Sequence, residues 1–386
     1  VRALRPRDAS GTVLAMTRAR MLATLTAGAA LLVVGALRTC QDRKEPASVS
    51  ASESDLAPAA TRSDATRKAP VPHADAAETI ALMGPGDAVT PEPPKDVWHA
   101  AIGAGPNGFA FEAGREGVLR GPAAPEVTAE GIAILDPIRG ELRRFAADGK
   151  PLGSFALPSK QVVEAIALSQ GQTLLFERGD AGQQVRIVDA AGSVVARLSV
   201  PSAVASEDAD VSRIVVRGST VYAETNGGGP LHVLGTVQGD TPKEPATIDG
   251  LPTRDDRLLL SAGITNEDEG RAWINASDRA TGTHRWTKEL RFADEATAVG
   301  FLDDDGHGHG WVVVLVGGKP GTFVDAAVCF DVSSGAVLAS HPVAVDDPPW
   351  QSFRDFSVGP DGTLYALRRK RDEARLLAFA CGTAPR

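Results

Sequence analysis

The stretch Asp303–Gly310 reads DDDGHGHG, with three carboxylates and two imidazoles close together. Carboxylate and imidazole groups ligate divalent cations, so Asp303, Asp305, His307 and His309 form a candidate metal set. The stretch lacks the alternating Asp positions and the distal Glu of an EF-hand loop. The same composition suits a polar, Gly-rich hairpin tip joining Ala296–Leu302 to Trp311–Val316, and that reading is favoured. A second candidate set is Glu164, Arg213, Arg354 and Asp355, which fall at matching points of a repeat and are candidates to bind a ligand in the central channel, a solvated channel without chemistry being the favoured reading. Arg368-Arg369-Lys370-Arg371 is a short basic run before Asp372 and Glu373, and it reads as a solvated turn. No G-x-S-x-G elbow, H-E-x-x-H pair, phosphate loop or dinucleotide fingerprint occurs, so no catalytic residue and no cofactor is assigned.

The elements that must position these residues are short strands. Ile132–Leu135, Glu141–Phe145 and Leu152–Leu157 form a three-stranded opening unit, turned at Asp136-Pro137 and Asp148-Gly149. Val162–Leu168, Thr173–Glu177, Gln184–Val188 and Val194–Val200 repeat it with an inner strand added. Gly149 and Gly192, in equivalent hairpins, lie 43 residues apart, the length a four-stranded propeller blade needs. Further units follow at Val211–Val237 and at Ala296–Pro342, with a less regular stretch from Leu258 to Leu290 between them. The final unit, Phe353–Phe379, lacks an outer strand, while Val97–Ala104 stands spare in front of the first. The expected fold is therefore an all-β propeller of about six four-stranded blades over 97–386, closed by the N-terminal strand of the domain. Aligned turns put Glu164 and Asp355 at equivalent inner-strand positions, with Ser212 or Arg213 between them and Arg354 adjacent.

Composition narrows the partners. A formal charge of −9 on 386 residues leaves no basic field for a phosphate backbone, which argues against nucleic acid. Arg18 and Arg20 followed by the apolar run Met21–Leu37 read as an export signal over 1–40. As a helix that run spans ~25 Å, short of a ~30 Å bilayer core. Residues 41–96, rich in Ala, Pro and Ser, read as a disordered tether. Cys329 and Cys381 are read as buried thiols rather than a disulfide.

Leu37-Arg38-Thr39-Cys40 resembles the lipobox of bacterial lipoproteins, which implies acylation at Cys40 and membrane contact only through the N-terminus. GIAILDPIRGELRRFAADGKPLG and FSVGPDGTLYALRR resemble the repeats of NHL/YVTN-like six-bladed propellers of exported bacterial proteins. DRATGTHRW, at Asp278–Trp286, is similar to the repeat of quinoprotein-like propellers, but it occurs clearly once, and Trp286 is read as an inter-blade packing residue. The resemblance implies an exported, periplasmic or outer-membrane-associated monomer that binds an envelope protein or glycan. Gluconolactonase-type propellers bind a channel metal through Glu, Asn and Asp. They supply the alternative, a metal-dependent lactonase-like hydrolase, although Asn226 and Asn275 fall outside the inner strands.

Overall fold

Alternating burial, as in Arg271–Asp278, marks strands with one face in an inter-blade core. The computed structural model describes residues 80–82, 93–103, 108–113, 118–179, 182–202, 204, 211–225, 229–242, 246–317, 323–346 and 350–382. The export signal, Cys40, almost all of the tether and Asn226 lie outside the described residues.

Six four-stranded antiparallel meanders follow one another. Blade 1 is Ala123–Thr128, Gly131–Asp136, Glu141–Phe145 and Pro151–Ala156. Blade 2 is Val162–Ala167, Thr173–Gly179, Gly182–Val188 and Val194–Ser199. Blade 3 is Val211–Arg217, Thr220–Thr225, Leu231–Thr236 and the two-residue Thr247–Ile248. Blade 4 runs from the short inner Leu251–Pro252 through Leu258–Asn266 and Arg271–Asp278 to His284–Phe292. Blade 5 is Ala296–Asp304, His309–Val316, Val324–Asp331 and Val337–Ala344. Blade 6 is Phe356–Val358, Leu364–Arg369 and Glu373–Phe379, completed by Lys95–Ala101. That N-terminal strand pairs antiparallel with Glu373–Phe379, from Lys95 opposite Ala378 to Ala101 opposite Glu373, and closes the ring as expected. The molecule is a six-bladed β-propeller.

The opening unit has four strands, not three. Its inner strand AAPEVT was missed because Pro125 interrupts it and Ala124 takes a φ of +48°, which breaks the alternation. A small extra sheet joins Glu112–Ala113 to Leu119–Arg120, and Trp350–Gln351 pairs parallel beside them.

The cores lie between blades. Ala272, Ile274 and Leu290 of blade 4 pack on Val312, Val314 and Phe330 of blade 5. Trp286 donates its indole N–H to the Val332 carbonyl at 3.1 Å and meets Phe330 edge-on, which makes it an inter-blade packing residue. Trp98 of the closing strand sits 3% exposed against Phe109 and Phe145, tying blade 6 to blade 1. Each large apolar side chain buried this fully contributes about 1.5–3 kcal/mol.

Cys329 and Cys381 form a disulfide, which corrects the buried-thiol reading. They are not at equivalent positions along their blades. Cys381 lies just beyond the end of its strand, where the chain reaches blade 5, with Cα atoms 5.6 Å apart.

Candidate functional site

The first strands of the blades carry an unusual load of charge, and that charge is almost all paired between blades. Arg354 precedes the inner strand of blade 6. It donates to both carboxylate oxygens of Glu164 on blade 2 at 2.9–3.1 Å, to Glu126 of blade 1 at 2.9 Å, and to the carbonyls of Ala165 and Phe356. Three blades thus meet on one planar fork, a geometry guanidinium suits and ammonium does not. Burial works against the Arg354 charge, but Glu164 and Glu126 outweigh it and hold its pKa above the usual arginine range. Burial pushes the Glu126 carboxyl up, and the neighbouring Glu164 adds to the push, against the pull of Arg354.

A second node forms around Asp303. The side chain is buried and lies against Arg217, with Arg213 and Arg254 each at 3.5 Å. Burial pushes its carboxyl up, but the three guanidiniums together hold it well below the ordinary carboxylate range. Arg213 also donates to the Leu302 carbonyl and lies over the Phe301 ring, 5.0 Å from its centroid. Burial pulls the Arg213 pKa down. Asp304 accepts the Arg254 backbone N–H at 3.0–3.1 Å.

The third node is on blade 6. Arg369, 2% exposed, bridges Asp346 and Asp355 at 2.6 Å each, while Arg368 pairs with Asp325 at 2.6 Å and stacks over Phe356. These two arginines are therefore not part of a solvated turn. They end the strand Leu364–Arg369 and point inward, and only Lys370 and Arg371 of the basic run are exposed. The Asp325 carboxyl is pushed up to about 6 by burial, with the charges of Asp355 and Asp346 adding to the push and Arg368 only partly opposing it.

Blades 3 to 6 enclose a cavity of about 320 Å³ whose polar wall includes Ser212, Arg213, Glu224, Asp325, Arg354 and Asp355. Phe301, Phe353 and Phe356 supply its apolar wall. Apolar area with a few convergent polar groups is the usual make-up of a ligand pocket. Three of the four expected channel residues, Arg213, Arg354 and Asp355, meet around this space. Glu164 does not line it, being fully buried behind Arg354.

The DDDGHGHG stretch is the tip of the hairpin between Ala296–Asp304 and His309–Val316, as expected, but its carboxylates do not face solvent. Asp303, Asp304 and Asp305 are buried, and only His307 and Gly308 are exposed. Asp305 accepts the backbone N–H groups of His307 and His309 at 2.7 and 3.0 Å and meets His309 Nδ1 at 2.9 Å, so it shapes its own turn. Asp303 faces the arginines instead. Among the described residues no group of three or more His, Cys, Asp or Glu side chains converges as metal ligands do.

Sequence reasoning missed Glu126, Arg217, Arg254 and Asp325. Glu126 was hidden with its strand, whereas an Asp-rich stretch buried on an acidic chain could have prompted a look for arginines.

The fold and site together define a closed six-bladed propeller with a mixed-charge cavity at its centre. No protein-family model and no curated protein matches the chain. Solved structures similar to it include a luciferin-regenerating enzyme (11% identity, 68% of this chain and 93% of that one, TM-score 0.42). A streptogramin B lyase matches at 13% identity over 67% and 93% of the two chains, with a TM-score of 0.39. BamB from Moraxella catarrhalis matches at 14% over 74% and 100%, with a TM-score of 0.33. No residue role is carried over from any of them.

Proposed function

We propose that the chain is an exported binding propeller of the cell envelope that holds a protein or glycan partner at the cavity between blades 3 and 6. The observation that carries this is the pairing just described: Glu164, Asp303, Asp325 and Asp355 are each matched by an arginine from another strand or blade. Such groups act as struts that hold a rigid, preformed rim, and recognition falls to what the rim presents. The Cys329–Cys381 disulfide supports export, because such bonds persist in oxidising compartments. Cys40 is the lipid site in this reading, and contact with the membrane runs through the N-terminus alone.

A photo-crosslinking residue placed at Phe353, on the cavity rim, tests the binding role against the same residue at exposed Leu152 on blade 1. A protein or glycan adduct at position 353 and none at 152 is expected. Equal labelling at both positions refutes the cavity as the docking point. The mass of the mature N-terminus tests export separately: an acylated Cys40 is expected, and a chain that retains Met21–Leu37 refutes it.

One observation favours a second reading, a hydrolase working in the cavity. Asp325, pushed up to about 6, exchanges its proton near neutrality, as a general acid or base must. Turnover of a lactone and ester panel between pH 5 and 8, lost in Asp325→Asn, would establish it, and no turnover by the wild type removes it. A shared metal ion would need Glu164 and Asp355 together, and they sit on different arginines, Arg354 and Arg369.

A further inference from the structure

Outer blade edges present unpaired backbone groups, and those of blades 1, 3 and 5 are blunted by their sequence. The outer strand of blade 1 contains Pro151 and Gly153, that of blade 5 contains Pro342, and that of blade 3 has two residues. Blade 6 ends on the closing strand. Blade 4 differs. Its outer strand His284–Phe292 is nine residues long, contains neither Pro nor Gly, and is tied to blade 5 by the Trp286 indole. Its first six residues carry His284, Arg285, Lys288 and Glu289, charges of the kind that deter strand pairing. Its last three residues, Leu290, Arg291 and Phe292, are covered by a strand from outside the blade. Ile80–Leu82 pairs with them in parallel, Ile80 opposite Leu290 and Leu82 opposite Phe292.

This parallel strand is the exception among the six meanders, in which every blade strand pairs antiparallel. It comes from ahead of the closing strand, with twelve residues between Leu82 and Lys95. That length reaches at most ~40 Å when extended, so one segment of chain enters blade 6 and its forerunner seals blade 4.

We propose that the outer edge of blade 4 at Leu290–Phe292 is a strand-accepting docking site, occupied in cis by Ile80–Leu82 as a displaceable guard. Three paired residues make a weak seal next to the full ladders of the blades. A partner that docks by strand addition, with main-chain groups supplying the affinity, gains this edge by displacing the guard. Because the guard is carried on the segment that leads into the ring, partner binding here frees that segment as well.

Hydrogen exchange followed by mass spectrometry on the full chain and on Ala81→Pro tests the idea, since proline cannot sit inside a ladder. Amides of peptides covering 288–292 are expected to exchange at least about tenfold faster in the variant, with the rest of blade 4 unchanged. Peptide 77–85 (AETIALMGP) added to the variant is expected to restore the protection, and the same peptide carrying Ala81→Pro is expected not to. Equal exchange in variant and wild type overturns the pairing, and failure of the peptide to protect overturns the docking site. Protection in the wild type that falls on dilution overturns occupation in cis and assigns the strand to a second copy. Loss of protection throughout the ring in Ala81→Pro overturns the guard as a separable element.

Discussion

At the residue scale, Arg354 matters most, because it is the common partner of buried Glu164 and half-buried Glu126, glutamates from different blades. Removing one partner of a buried ion pair strands the other, at a cost of about 3–5 kcal/mol. Arg354→Met is expected to lower the urea midpoint by that equivalent, whereas Arg354→Met combined with Glu126→Gln and Glu164→Gln recovers a large part of it. Asp303 and Asp325 give opposite pH signatures. Asp303 is depressed in the folded state, so its contribution is present above pH ~3.8 and is lost as acid protonates it. Asp325 is raised to about 6, so the folded state binds the extra proton and stability falls as pH rises from ~4 to ~6. Unfolding measured at closely spaced pH values is expected to show that downward slope in the wild type and a flatter one in Asp325→Asn. A parallel slope in both proteins refutes the assignment.

At the element scale, the strands that were legible in the sequence are those with a clean turn behind them. Glu141–Phe145 matched to the residue, and the DVSSGAVL and DRATGTHRW hairpins of blades 5 and 4 stood out through Asp331, Gly335, Asp278 and Gly282. Ala123–Thr128 was not legible, since Pro125 and the bulge between Ala123 and Glu126 mask it locally and only the ring around it makes it a strand. Arg213, Arg354 and Asp355 could be foreseen from repeat alignment. Their partners could not, because an ion pair spanning 190 residues, such as Arg354 with Glu164, leaves no local pattern. The disulfide was missed for a similar reason: two half-cystines 52 residues apart meet through a blade-to-blade register that spacing does not encode. Closing a loop of that length removes unfolded-state entropy equivalent to about 4 kcal/mol at most. Cys381→Ser is expected to lower stability by about 2–4 kcal/mol, and reductant is expected to bring the wild type to the variant's midpoint but leave the variant unmoved.

At the scale of the whole molecule, the ring is held by one seam, the ladder between Lys95–Ala101 and Glu373–Phe379, with Trp98 packed beneath it. Trp98→Ala is expected to cost about 3–5 kcal/mol and to lower the melting temperature of all six blades together, read by circular dichroism and by exchange in blade 3. Blades that melt in separate steps would refute a single cooperative ring. The seam also dictates an order of events during synthesis. Lys95–Ala101 leaves the ribosome before any blade, yet its partner follows some 270 residues later. At ~5–20 residues per second, that strand waits roughly 15–50 s with its ladder groups bare. For that interval the closing strand of the propeller is the one most in need of a chaperone, and synthesis of Glu373–Phe379 decides when the wait ends.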